Sequence, residues 1–211
     1  MKIISGKYKG RILKGYMIDG TRPTMDRVKE SVFAMIQDYI KDSIFLDLYS
    51  GSGNIGIEAI SNGSKKAYLV DNNMVAIKTI KENINMLKID NIDVIKEDAV
   101  NQLNNFISMG IKFDIIFLDP PYHTNELDKS LTIINNNLCL LGKRAIIVCE
   151  TEIKIDYQKY DNLMIYKTRK YGSKEVTILK KVSIVSCIKE PVSNESTLKL
   201  SFSDMFNPYF K

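Results

Sequence analysis

The chain has 211 residues and a mass of 24.1 kDa, about one ordinary domain, so a multidomain machine is excluded. At 45% hydrophobic and 26% charged residues it can fill one core without disulfides or a structural metal, and collagenous, coiled-coil and fully disordered readings drop out. The net charge of +5 is uneven: residues 1–30 carry +5, 31–163 carry −5, 164–181 carry +5 and 182–211 are neutral, so two basic segments suited to a polyanion flank an acidic body.

In chain order, Lys2–Ser5 and Arg11–Lys14 read as a short hairpin around Gly6 and Gly10. An amphipathic helix follows from about Met25 to Tyr39, with Thr24 as its N-cap and Val28, Val32, Phe33, Ile36 and Ile40 on its apolar face. Strands are then expected at Ile44–Tyr49, Lys66–Val70, Asp93–Lys96, Phe113–Leu118 and Arg144–Glu150. They alternate with helices at Asn54–Asn62, Met74–Leu87, Ala99–Met109 and Glu126–Leu138, the pattern of a parallel α/β sheet. After Glu150 the alternation stops, and Leu163–Thr168 and Glu175–Leu179 read as a hairpin joined through Lys170-Tyr171-Gly172-Ser173. The last 30 residues lack periodicity and read as a loosely held extension with Phe202, Met205, Phe206, Tyr209 and Phe210 as a docking patch.

Three cysteines without C-x-x-C spacing and a single histidine, His123, indicate neither a disulfide framework nor a metal site. The basic, glycine-containing start has no secretory h-region, and no apolar run approaches the ~20 residues of a membrane span. A soluble, cytoplasmic protein is the expectation, with no membrane and no metal.

The segment Asp47-Leu48-Tyr49-Ser50-Gly51-Ser52-Gly53-Asn54-Ile55-Gly56 places glycines at a strand-to-helix switch, where a ligand can approach backbone N–H groups at the positive end of a helix. Gly51, Gly53 and Gly56 also satisfy G-x-G-x-x-G, and Asp71 closes the next strand where a ribose hydroxyl would be received. The motif alone admits a nicotinamide dinucleotide or S-adenosylmethionine. Asp47, four residues before Gly51, would repel a pyrophosphate and attract an ammonium group, which favours S-adenosylmethionine. Asp98, followed by Ala99, is placed to receive an adenine amine; the bland alternative for each acid is an N-cap or turn residue.

The fourth sheet strand ends in Asp119-Pro120-Pro121-Tyr122. Two prolines make a stiff platform, on which the Asp119 carboxylate and the Pro120 carbonyl can both accept hydrogen bonds from one NH2 group while Tyr122 stacks on a planar base. Fixed acceptors favour the nucleophilic form of an exocyclic amine and stabilise the positive charge that develops on it during methyl transfer.

With Ile3-Ile4-Ser5-Gly6-Lys7-Tyr8-Lys9-Gly10-Arg11 and Thr21-Arg22-Pro23-Thr24-Met25-Asp26-Arg27, these motifs resemble those of the small bacterial 16S ribosomal RNA guanine-N2 methyltransferases of the RsmD type, over about residues 1–181. The resemblance implies a Rossmann-like S-adenosylmethionine-dependent α/β fold: a seven-stranded, mostly parallel sheet with a C-terminal antiparallel hairpin and a small N-terminal β-hairpin/helix extension. It implies an RNA-binding extension over 1–40, a methyltransferase domain over 41–181, and an extension over 182–211 with no counterpart. It puts cofactor contacts at Asp47, Ser50, Gly51, Gly53, Asp71, Asp98 and Ala99, and the catalytic platform at Asp119, Pro120, Pro121 and Tyr122. RNA contacts fall to Lys7, Lys9, Arg11, Arg22, Thr24 and Arg27, with the partner 16S rRNA in the small subunit or its assembly intermediate and the enzyme a monomer. Asp71 departs from the Glu more usual there. A DNA adenine-N6 methyltransferase, a nicotinamide oxidoreductase and a non-catalytic RNA-binding module are the competing readings.

Overall fold

The computed structural model describes residues 1–15, 23–121 and 124–182, with the side chains of 23–26 left aside. The expectations on Arg22, Tyr122, His123, the Thr24 side chain and the C-terminal aromatic patch therefore lie outside the described residues.

Helix α1 (Pro23–Ile40) opens with proline in its first turn, where a missing N–H costs nothing, so Thr24 lies inside the helix and not at its N-cap. The sheet units follow as β1 (Ile44–Asp47), α2 (Asn54–Ser61), β2 (Lys66–Asp71), α3 (Met74–Leu87), β3 (Ile92–Lys96), α4 (Ala99–Ser108), β4 (Phe113–Leu118), α5 (Glu126–Asn136) and β5 (Leu141–Thr151). The closing hairpin is β6 (Leu163–Tyr171) and β7 (Lys174–Lys181). Both hairpin strands are longer than the sequence suggests, reaching a turn at Gly172-Ser173, because cross-strand partners such as Thr168–Thr177 and Lys170–Glu175 carry the ladder to the turn. The expected N-terminal hairpin is present in short form: an antiparallel bridge, Lys2–Ile12, flanked by backbone bonds from Ile3 N to the Arg11 carbonyl at 2.9 Å, from Gly10 N to the Ile3 carbonyl at 2.8 Å and from Leu13 N to the Met1 carbonyl at 2.9 Å. The arm is also held by α2, whose Glu58 carboxylate accepts from the Ile4 and Ser5 backbone N–H groups.

The sheet order is β3-β2-β1-β4-β5-β7-β6, parallel through β5 and antiparallel at β7 and β6. Side chains alternate across a sheet, and here both faces are covered. Phe45, Ile115 and Phe117 join one core with Val32 and Ile36 of α1 and Ile77 and Ile80 of α3. Leu46, Ile116 and Leu118 join the other with Leu103 and Phe106 of α4 and Leu131 and Ile134 of α5. This two-sided burial is why Ile115–Leu118 reads as an unbroken apolar run. Ile3 and Leu13 of the N-terminal arm are buried in the first of these cores, so the arm packs as part of the sheet's own shell. Chain order reverses between β1 and β4, which opens a crevice beyond their C-terminal ends, where ligands bind in open α/β sheets.

Candidate active site

A cavity of about 830 Å3 fills that crevice. The β1–α2 turn supplies one wall through Ser50, Gly51 and Ser52. Gly53, at φ 78°, caps α2 in the left-handed conformation that glycine adopts without strain. Gly56 is required for a different reason: a Cβ there would overlap the Leu69 side chain of β2, so glycine lets α2 lie close on the sheet.

Asp47, at 2% exposure, sits beneath this turn and accepts from the Gly56 N–H at 3.0 Å. Burial pushes its carboxyl up to about 7, with the Gly56 N–H opposing and the Asp71 charge adding to the rise. Asp71 ends β2 and ties two turns together, its Oδ2 accepting from Gly51 N at 2.8 Å and its Oδ1 from Asn73 N at 2.8 Å. Each oxygen retains a second lone pair for a ligand hydroxyl. Asp98 is the N-cap of α4, with Oδ1 accepting from Val100 N and Asn101 N, so the bland role holds for that oxygen while the residue also lines the cavity with Ala99 and Glu97.

At the other end of the cavity, Asp119, Pro120 and Pro121 follow β4. The Asp119 carboxyl is pushed up to about 8, first by burial and then by the Glu150 charge; Lys174 opposes, and Asp47 and Glu152 add smaller contributions. Of the expected cofactor residues, six line the cavity and Gly53 stands just behind it as the α2 cap. Lys7, Lys9, Arg11 and Arg27 are exposed, away from the cavity wall. Among the described residues no group of three or more His, Cys, Asp or Glu is placed to hold a metal ion.

Sequence reasoning missed five charged residues that line this cavity, Lys29, Glu97, Glu126, Glu150 and Lys174. Glu150, next to last in β5, forms an ion pair with Lys174, which opens β7; both line the cavity beside Asp119. The signal was present, since Glu150 follows an apolar run as Asp119 does. Lys29, at 2% exposure, pairs with Glu58, at 0%, with Nζ to Oε2 at 2.9 Å. Lys29 Nζ also donates to the Lys2 carbonyl at 2.6 Å and to Asn54 Oδ1 at 2.8 Å, which links the N-terminal arm, α1 and the first residue of α2. Its position on the apolar stripe of α1, one turn before Phe33, was the available clue.

These residues fit S-adenosylmethionine better than a dinucleotide. Asp47, Asp71, Glu97 and Asp98 put carboxylates around the glycine turn, favourable to a cationic ligand with ribose hydroxyls and unfavourable to a pyrophosphate. The comparisons agree. Residues 1–180 match the family described as Conserved hypothetical protein 95. The chain is 34% identical to ribosomal RNA small subunit methyltransferase D of Buchnera aphidicola subsp. Acyrthosiphon pisum, covering 79% of this chain and 86% of that one. It is 31% identical to the protein of that name from Escherichia coli K12, covering 73% and 76%. The solved structure of yhhF from Escherichia coli superposes with a TM-score of 0.73 at 27% identity, covering 86% of this chain and 97% of that one. The SMU.776 structure, complexed with SAH, shares the fold alone, with a TM-score of 0.61 at 14% identity over 83% of this chain and 52% of that one. With a family match over residues 1–180 and curated relatives at 31% and 34% identity over more than two thirds of both chains, the chain belongs to the ribosomal RNA small subunit methyltransferase D family of Rossmann-like, S-adenosylmethionine-dependent methyltransferases.

Proposed function

We propose that this protein methylates the exocyclic N2 amine of a guanine in the 16S rRNA of the small ribosomal subunit. The observation that carries the reading is that the glycine turn and the Asp119-Pro120 platform share one cavity. S-adenosylmethionine, when bound, supplies an electrophilic methyl group on a cationic sulfur. Asp47 attracts the cofactor's ammonium end, and Ser50, Gly51 and Gly53 shape the turn against it. Asp71 receives the ribose through its remaining lone pairs, and Asp98 with Ala99 borders the adenine. The Asp119 carboxylate and the Pro120 carbonyl accept from the N2 amine, Pro121 stiffens the platform, and Tyr122 stacks on the base. These acceptors hold the amine while its nitrogen gains positive charge, and the proton then leaves to water.

In this reading Lys7, Lys9, Arg11, Arg22, Thr24 and Arg27 contact RNA phosphates, and the protein acts as a monomer in the cytoplasm on the subunit or its assembly intermediate. No helix among the described residues is long and apolar enough to cross a membrane. The test is incubation with labelled S-adenosylmethionine and, separately, small subunits, naked 16S rRNA and duplex DNA. The reading expects label in the ribosomal substrate and its loss in Asp119→Ala. Label in duplex DNA would move the protein to the adenine-N6 class.

A further inference from the structure

The basic segment 164–181 divides in the fold. Lys174 turns into the cavity, whereas Lys180 and Lys181 lie at the other end of β7, beside Lys143 and Arg144 near the start of β5. With Tyr39, from the last turn of α1, these four cations line a second groove of about 490 Å3. The Arg144 guanidinium lies 5.7 Å from the centroid of the Tyr39 ring, and Lys180 Nζ lies 5.2 Å from the same centroid and 3.3 Å from that of Tyr166. Lys181 Nζ donates to the Leu141 carbonyl at 3.4 Å. Among the described residues none of the four is ion-paired with a carboxylate.

Ring faces hold a cation in a fixed direction but neutralise little of its charge. Two cations converging on one tyrosine, with two more in the same groove, form a site whose missing partner is anionic. The arginine offers a planar fork that matches phosphate, and the lysines add point charges. Arg144 and Glu150 stand six residues apart on β5, so the groove lies about 20 Å from the catalytic end of the sheet.

We propose that this groove is a second RNA-binding site, which takes backbone phosphates of a folded RNA at a distance from the base being methylated. The nature of the polyanion rests on the rRNA reading above; the groove itself does not. A folded RNA presents phosphates about 20 Å apart with their spacing already fixed, so binding at both places does not have to order a flexible strand.

The test compares the wild type with Lys143→Gln/Arg144→Gln and with Lys180→Gln. Melting temperature and S-adenosylmethionine affinity serve as controls for folding and for the cavity. Affinity for small ribosomal subunits, and separately for an unrelated structured RNA, is measured over a salt series. The expected result is a loss of subunit affinity of roughly 10-fold in the double variant, with the slope of log K against log salt shallower by about 1 to 2, and unchanged S-adenosylmethionine affinity. Unchanged affinity and slope on both RNAs would overturn the proposal, as would tighter RNA binding, which would mark the groove as the seat of an acidic segment of the chain itself. If the wild type fails to methylate subunits while the variants still lose affinity for structured RNA, the rRNA reading falls and the groove stands. If methylation succeeds and the salt slopes coincide, the reverse holds.

Discussion

Asp119 and Glu150 leave neighbouring parallel strands one residue beyond the paired positions Leu118 and Cys149, so two carboxylates share one end of the cavity with Lys174 beside them. Burial first, and then the Glu150 charge, raise the Asp119 carboxyl to about 8. Amine acceptance requires the ionised form, so the methyl-transfer rate should rise with pH through that value. Glu150→Gln removes the neighbouring negative charge and leaves Lys174 to act on Asp119. The acid limb of the pH–rate profile should move down by on the order of one pH unit. A limb that stays in place or moves up would show that Glu150 does not set the Asp119 charge.

Asp119 also carries a stability consequence. Its folded pKa lies above the ordinary carboxyl value of 3.8, so the folded state binds the extra proton between about pH 4 and pH 8. Stability therefore falls as pH rises through that window, and the cost is fully present above pH 8. Asp119→Asn should melt higher than the wild type at pH 8.5, at roughly 2–4 °C per kcal/mol recovered, and show little difference near pH 4. Methyl transfer should be lost in the same variant. A melting temperature that is equal at both pH values would contradict the buried-carboxylate account.

The Lys29–Glu58 pair is buried on both sides and is one of the ties between the N-terminal arm and the glycine-turn helix, beside the bonds of Ser61 to Ser5, Lys7 and Tyr8. Removing one partner strands the other charge in the core, which typically costs about 3–5 kcal/mol. Lys29→Met should lower the melting temperature by on the order of 10 °C. Glu58→Gln should cost less, because one amide oxygen in the place of Oε1 still accepts from Ile4 N and Ser5 N. Calorimetry of both variants checks the order. Near-wild-type melting of Lys29→Met would mean that the pair does not hold the arm.

The strands and helices of the sheet were legible because two-sided burial writes unbroken apolar runs such as Ile115–Leu118, and because Gly51, Gly53 and Asp119-Pro120-Pro121 mark strand ends by backbone requirement. The N-terminal hairpin was legible in its cross-strand bonds, such as Ile3 N to the Arg11 carbonyl, but not in its anchoring: the Ile4 and Ser5 N–H groups go to Glu58, 54 and 53 residues away, a partner that no local pattern announces. Lys29, Glu150 and Lys174 were missed for the same reason. Their roles come from opposite charges far apart in the sequence, Lys29 with Glu58 and Glu150 with Lys174, so the local clues of an apolar helix stripe and an apolar strand end named no partner. Asp98 shows the converse, since its local role as an N-cap and its place on the cavity wall are compatible in one side chain.

The central claim is that the Asp119-Pro120 platform directs methyl transfer to a guanine amine of 16S rRNA. The most direct test is mass spectrometry of nucleosides from small subunits that lack endogenous methylation, after incubation with S-adenosylmethionine and either the wild type or Asp119→Ala. The account predicts N2-methylguanosine at one site in 16S rRNA with the wild type and none with the variant. Methylation on another atom, or equal N2-methylguanosine from both proteins, would contradict it.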